Sequence, residues 1–372
     1  MGTMSMENPF TPNFGETPAH LAGRNELVTK LEKAFVARSR RPELTTMLYG
    51  ARGSGKTTLL SVASHVAERN GWVAVGVTAM EGMLDEIEVG VLEAVSHLPG
   101  FDSAGGKKVA ISGMSIPHLV DVDLASEEPK STWRSRMTSL LKKLTEAEVG
   151  LLITVDEVDP INPEMITLAA TYQHFVRENL KVGLLMAGLP HNISHLLTDK
   201  TVSFLRRSQM YNLGRIADID VKLALIKTIR DSGRTIDAEP VNVAVRAIDG
   251  FAYLVQLIGF RMWDAHPDEP EISLDDVHEG IALAREEMEN RILASTMEEL
   301  SPADVSFLTA MLEDPEVSAV ADLATRLGWK DAQVGQYRRR LIEAGIIGAR
   351  GRGRVGFDLP YFREFLADQV AS

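Results

Sequence analysis

Gly50-Ala51-Arg52-Gly53-Ser54-Gly55-Lys56-Thr57 constrains this chain more than any other segment. Its glycines permit backbone conformations that a Cβ forbids, so successive N–H groups can converge on one point. An apolar run, Leu44–Tyr49, enters the loop, and a helical pattern from Lys56 to about Asn70 leaves it. The start of that helix aims its dipole at the same point, which suits an anion. The segment fits G-x-x-x-x-G-K-[ST] at every fixed position, the pattern of a nucleotide phosphate loop. Lys56 is then expected on the β- and γ-phosphates and the Thr57 hydroxyl on Mg²⁺. Gly50, Arg52, Gly53, Ser54, Gly55 and Thr58 complete the expected cradle.

The loop opens an alternation of short apolar runs with helical patterns. The runs are Leu44–Tyr49, Trp72–Thr78, Leu151–Val155, Val182–Ala187 and Gln209–Leu213. Each is short, aliphatic or β-branched, and bounded by glycine or charge. That pattern predicts five buried parallel strands with helices between them, an α/β core. The third run ends in Asp156-Glu157. After a phosphate loop, Asp156 is placed to hold Mg²⁺ and Glu157 to polarise an attacking water. The second acid favours hydrolysis over transfer to a small molecule, which argues against a metabolic kinase.

Three elements together resemble the AAA+ superfamily of ATPases, most closely its origin-recognition initiator branch and related bacterial ATPases. They are the phosphate loop, the Asp156-Glu157 strand end, and Gly23-Arg24-Asn25-Glu26-Leu27, similar to a G-R-x-x-E-L element beside the adenine. The resemblance covers roughly Pro18 to Phe365. It implies ATP or ADP with Mg²⁺ as cofactors, an all-helical lid and a C-terminal winged helix. It also implies an arginine finger: Arg206 and Arg207 follow Phe204-Leu205 and precede the last strand. A finger would complete a neighbouring subunit's site, so self-association through that site is part of the expectation. Two surface arginines at a helix C-terminus are the alternative, and the choice between Arg206 and Arg207 stays open. Two departures point to slow hydrolysis. The strand Val182–Ala187 runs into Gly188-Leu189-Pro190, with Asn192 the nearest amide, where a polar sensor is usual. Gly250-Phe251-Ala252-Tyr253 lacks the arginine usual in the lid, and Arg261 lies well along that helix.

The expected division is an extended arm (1–18), an ATPase core (19–215), a helical lid (216–299) and a winged helix (300–372). Phe10 and Phe14 are the arm's candidate anchors, and 100–130 reads as an inserted hairpin. Helical apolar spacing marks Val221–Ile229, Val241–Ile248 and Tyr253–Trp263 in the lid. Residues 268–299 carry eleven acids and two arginines, expected as a solvated helix face. Ser301 and Asp304 form a Ser-x-x-Asp helix start. His191 and His195 stand at i, i+4 with no third ligand nearby in sequence, and read as ordinary loop or helix residues.

Charge argues at first against nucleic acid, since the 372 residues carry a net −13. The balance is uneven: residues 326–354 hold eight basic and two acidic residues, +6 against −19 elsewhere. Val320–Leu327, a turn at Gly328-Trp329-Lys330, and Asp331–Ala344 read as helix-turn-helix, followed by a hairpin with Arg350, Arg352 and Arg354 at its tip. At ~100° per residue Val334, Tyr337 and Leu341 share a core face. Arg338 sits at its edge, while Gln333, Gln336, Arg339 and Arg340 project outward toward a duplex DNA major groove. The wing arginines suit phosphate or minor-groove contact. A protein-docking winged helix on a regulatory scaffold ATPase is the rival reading. Cysteine is absent, which excludes a thiol nucleophile, disulfides and Cys-ligated zinc. With no long uncharged apolar run and no secretory signal, no membrane role and a cytoplasmic location are expected.

Overall fold

The computed structural model describes residues 7–13, 15–96 and 132–371. The segment read as an inserted hairpin, and Phe14, lie outside the described residues. β1 (Thr45–Tyr49), β2 (Trp72–Thr78), β3 (Gly150–Asp156), β4 (Val182–Gly188) and β5 (Gln209–Asn212) form one parallel sheet in the order β2-β3-β4-β1-β5. β3 is buried along all but its last residue and β4 along its whole length. Continuous apolar runs rather than alternating ones follow from that two-sided burial.

Helices α1 (Asn25–Val36), α2 (Lys56–Arg69), α3 (Met83–Ser96), α4 (Trp133–Glu146), α5 (Pro163–Arg177) and α6 (Pro190–Thr198) cover the two faces. Two apolar clusters result, one on each side of the sheet. Leu31, Phe35, Leu59 and Trp72 pack in one, and Ile87, Leu141, Phe175 and Leu205 in the other. Because β4 lies between β1 and β3, the loop after β1 and the acids after β3 meet at one end of the sheet. That end carries the strands' carboxyl termini, where parallel sheets bind ligands.

The lid is built from α7 (Asp218–Asp231), α8 (Ala238–Ile248), α9 (Ala252–Ala265) and α10 (Leu274–Met288), with β6 (Thr235–Ile236) and β7 (Glu271–Ile272) paired beside them. A π-turn, Glu289–Leu293, joins α10 to α11 (Ala294–Glu298). The final module runs α12 (Pro302–Met311), β8 (Ser318–Ala319), α13 (Val320–Leu327), α14 (Asp331–Glu343), β9 (Ile347–Ala349), β10 (Arg354–Phe357) and α15 (Phe362–Ala371). Its three strands pair antiparallel in the order β8-β10-β9, the helix-strand-helix-helix-hairpin order of a winged helix. The Ser301 capping box is formed, with Asp304 N–H donating to Ser301 Oγ and Ser301 N–H to Asp304 Oδ2.

Lid and winged helix share one continuous apolar cluster, from Val221 and Trp263 through Leu293 to Phe307, Leu341 and Phe362. Apolar packing of that extent ties the two together mechanically. The arm is strapped to the lid. Phe10 is buried against Gly259, Asn8 donates to Phe260 O at 3.0 Å, and Thr11 N–H donates to Gln256 Oε1 at 3.1 Å.

The acidic segment departs from a purely solvated face. Asp276 is buried, caps α10 with Ser273 and bonds the His266 ring; Glu287 is only 12% exposed and binds Arg261 and Arg291. No helix among the described residues is long and apolar enough to cross a membrane.

Candidate functional site

The phosphate loop takes the conformation its glycines permit. Gly53 and Gly55 have φ of 75° and 89°, in the left-handed region that side chains avoid. Space is as restrictive as φ at Gly53, where a Cβ would lie 2.6 Å from the Phe251 ring of the lid. α2 begins at Lys56 with no side-chain cap, so its first N–H groups remain directed into the loop. Ser54 Oγ is buried with no hydrogen-bond partner, an unused donor within the cradle. A loop of this kind fits a phosphate by backbone shape, by helix dipole and by that orphan hydroxyl.

Lys56 is buried, and its Nζ donates to the carbonyl oxygens of Gly50 (3.1 Å) and Ala51 (2.9 Å). Burial pulls its ammonium below the usual lysine range, against the attraction of Glu157 and Asp156. Thr57 Oγ1 donates to Asp156 Oδ2 at 2.5 Å, bringing together two residues 99 positions apart in sequence. The other carboxylate oxygen of Asp156 accepts the Glu157 N–H at 2.8 Å. Glu157 adopts a φ of 50°, which a side chain tolerates only when its surroundings impose it. Glu157 borders the same cleft as Lys56 and Thr57.

That cleft has a volume of about 540 Å³, within the usual range for a small-molecule site. Thr11, Pro12 and Glu16 of the arm, Gly53 to Thr58 of the loop, and Tyr253 and Gln256 of the lid line it together. Tyr253 N–H donates to Gly53 O at 3.2 Å, tying lid to loop. Arg24 also lines the cleft, its Nη2 donating to Gly214 O at 2.7 Å, and burial lowers its pKa. Gly23 turns with a φ of 63° against Ile216. The arm and Arg291 were not legible as site residues. Nothing local in the sequence distinguishes them, since only folding carries them to the loop.

A second junction sits behind the loop. Arg52 binds Glu299 at 3.0 Å, and Gly345 of the winged helix lies against Ala51. A cavity of about 430 Å³ there is bounded by Arg52, His191, Glu299, Arg340 and Gly345. His191 and His195 lie on α6, and His191 Nδ1 is buried without a partner. Asn192 occupies the same helix, one turn after β4 has ended.

Arg206 and Arg207 end a 3₁₀ turn, Ser203–Arg207, beside β5 at the sheet edge. Both are exposed, and Arg206 Nε donates to Leu197 O at 2.8 Å. On α14, Val334 and Leu341 are buried and Tyr337 packs at a tilt against Trp329, with 4.9 Å between ring centroids. Gln333, Gln336 and Arg339 are exposed, as are Arg352 and Arg354 on the hairpin. Two arginines differ from the expected outward projection. Arg340 turns back to Asp304, which is fully buried, at 3.0 Å. Arg350 folds along the wing to bind Asp358 and donates to Phe357 O at 2.9 Å. In both cases a nearby carboxylate captures a side chain that helical or hairpin geometry alone leaves free.

Residues 20–182 match the family model of the AAA ATPase domain, and residues 290–366 match a domain of unknown function, DUF8462. No curated protein matches the sequence. Among solved structures, the chain resembles the Walker-type ATPase PABY2304 of Pyrococcus abyssi at 16% identity and TM-score 0.67, covering 96% of this chain and 99% of that one. It also resembles the ORC2 protein of Aeropyrum pernix, solved in ADPNP and ADP complexes, at 14% identity and TM-score 0.59. Coverage there is 97% of this chain and 98% of that one. At these identities the shared property is the fold, extended over nearly the whole length.

Proposed function

We propose that this chain, whose residues 20–182 match the AAA ATPase domain, is an ATP-operated switch that binds duplex DNA through its C-terminal winged helix. The observation that carries the reading is the double engagement of one loop. Gly53 and Lys56 line the nucleotide cleft while Ala51 and Arg52 touch the winged helix and the end of the lid. A ligand that reorders the loop therefore has a direct mechanical path to the DNA-facing module.

In this reading the loop N–H groups and Lys56 bind the β- and γ-phosphates, and Arg24 borders the base end. Thr57 and Asp156, whose oxygens already converge, are a hard-oxygen pair that fits Mg²⁺, which would neutralise phosphate charge. Glu157 accepts a proton from the attacking water. Hydrolysis is slow because the end of β4 offers an apolar Ala187-Gly188-Leu189 rather than a polar side chain to orient that water. The exposed Gln333, Gln336, Arg339, Arg352 and Arg354 form the DNA face, with phosphate contacts giving most of the affinity. The acidic remainder of the chain repels DNA elsewhere. Arg206 or Arg207 supplies the finger if copies associate through the cleft.

The regulatory-scaffold reading has its own support: Arg340 near the C-terminal end of α14 and Gly345 just beyond that helix are spent on contacts inside the molecule. The deciding experiment is fluorescence anisotropy of labelled duplex with the full chain, across a salt series, with and without Mg-ATP. Salt-dependent binding that changes with nucleotide supports the switch. Nucleotide binding with no duplex binding at low salt supports the scaffold.

A further inference from the structure

The phosphate loop borders a second space besides the nucleotide cleft. Arg52 and Ile292 line both the cleft and the cavity of about 430 Å³ behind Ala51, but none of Gly53 to Thr58 lines that cavity. The loop, the start of α6, the end of the lid and the winged helix enclose it, and its volume is that of a small-molecule site. Leu189, Leu341, Ile346 and Leu359 make part of its wall apolar, and the last three are buried.

Two helix ends of opposite polarity meet there. α6 starts on the cavity with Leu189 and His191 and carries no side-chain cap, and a helix N-terminus favours an anion. His191 Nδ1 is buried with no hydrogen-bond partner, so that end holds an unmatched polar atom. Arg52 meets Glu299 through Nη1, at 3.0 and 3.2 Å, and a guanidinium has further N–H donors to offer. α14 ends on the cavity with Glu343 and Ala344, and a helix C-terminus favours a cation. Glu343 is half-buried and, among the described residues, has no ion-pair partner. A half-buried carboxylate without a counter-charge is an unmatched group of the opposite sign.

We propose that this cavity is a second ligand site, for a small zwitterion with an apolar body: a free apolar α-amino acid. Its carboxylate lies at the α6 end, with His191 Nδ1 and the remaining donors of Arg52. Its ammonium lies at the α14 end against Glu343, and its side chain covers the leucine wall. A simple anion leaves Glu343 unmatched, and a simple amine leaves the α6 end unmatched. The site does not depend on what the nucleotide cleft binds. Only its regulatory consequence rests on the switch reading: Ala51 and Gly345 are in contact at this cavity, so an occupant braces the loop against the winged helix.

The test is calorimetric titration of the full, nucleotide-free chain with L-leucine and L-phenylalanine, beside N-acetyl-L-leucine, which lacks the ammonium, and L-leucinamide, which lacks the carboxylate. At least one of the two amino acids is expected to bind, and each blocked analogue about 10-fold more weakly or worse, the cost of one charge-assisted hydrogen bond. Glu343→Gln should lower amino-acid affinity by a similar factor and bring the ratio to N-acetyl-L-leucine toward one. His191→Ala should lower affinity and keep that ratio. Glu343 has no ion pair and His191 Nδ1 no hydrogen bond to lose, so neither variant should lower the melting temperature. Binding of neither amino acid at about 10 mM, unchanged affinity in both variants, or displacement by Mg-ADP overturns the proposal. Amino-acid binding by a chain that binds no nucleotide keeps this site and overturns the phosphate-loop reading; nucleotide binding without amino-acid binding does the reverse.

Discussion

Gly345, two residues past the end of α14, lies directly against Ala51 of the phosphate loop: a Cβ on the glycine would stand 2.5 Å from the alanine's own Cβ. Its φ of 74° is in the left-handed region as well. The contact joins the helix read as DNA-facing to the loop read as phosphate-binding, with no intervening side chain to absorb movement.

Gly345→Val is therefore expected to loosen that junction. Backbone strain of about 1–2 kcal/mol accompanies the clash, so denaturant unfolding should shift by at least that much. The informative readout is coupling. The ratio of duplex affinities with and without Mg-ATP should move toward one, and Ala51→Gly in the same chain should restore part of it.

Lys56→Ala should abolish nucleotide binding without destabilising the free protein. Lys56 is buried, its charge is disfavoured by desolvation, and its partners are two carbonyl oxygens rather than a carboxylate. Removing a buried charge so placed costs little or is favourable. Melting temperature without nucleotide should be equal or higher, and the increase that Mg-ATP produces in wild type should vanish. Glu157→Gln should keep that increase and lose turnover.

The arginines of the winged helix should separate into two groups. Arg339, Arg352 and Arg354 are exposed, and each replacement by Gln should weaken duplex binding and reduce the salt slope by about 0.9 per lost phosphate contact. Arg340 and Arg350 are held by Asp304 and Asp358. Arg340→Gln leaves a fully buried carboxylate without its counter-charge, so its principal effect should be a stability loss on the order of 1–3 kcal/mol, seen as a lower melting temperature.

Acid should remove stability where carboxylates are held by arginines. Arg326 bonds Asp314 through both terminal guanidinium nitrogens, Nη1 and Nη2, at 2.6 and 2.8 Å, and pulls its pKa down to about 2. A folded-state pKa below the unfolded value stabilises the fold above the unfolded pKa, and that stabilisation is lost as pH falls toward about 2. Carboxyl NMR titration of Arg326→Gln should show Asp314 returning toward the ordinary value near 4. The variant's stability should then fall less steeply than wild type between about pH 4 and 2.

Much of this molecule is written locally. The loop from Gly50 to Thr57, the five apolar runs and the Ser301 cap each depend on residues within a turn or a strand of one another. Torsional freedom, burial period and capping therefore make them readable in order along the chain. β2 matches its expected bounds, and the other strands differ by a residue or so at their ends. Charge patterning was readable as well, since the +6 module is a property of composition.

What the chain order could not convey is which charged groups meet. The strand order that brings Asp156 to Thr57 comes from packing helices on both faces of one sheet. The capture of Arg340 by Asp304 and of Arg350 by Asp358 spans segments whose proximity exists only after folding. Arg291 and Arg261 look alike in sequence; a single π-turn and a shared Glu287 send one into the nucleotide cleft and hold the other outside it. An ion pair has little directional signature in sequence, because Coulomb attraction depends on distance in space and on burial, both of which only the tertiary structure decides.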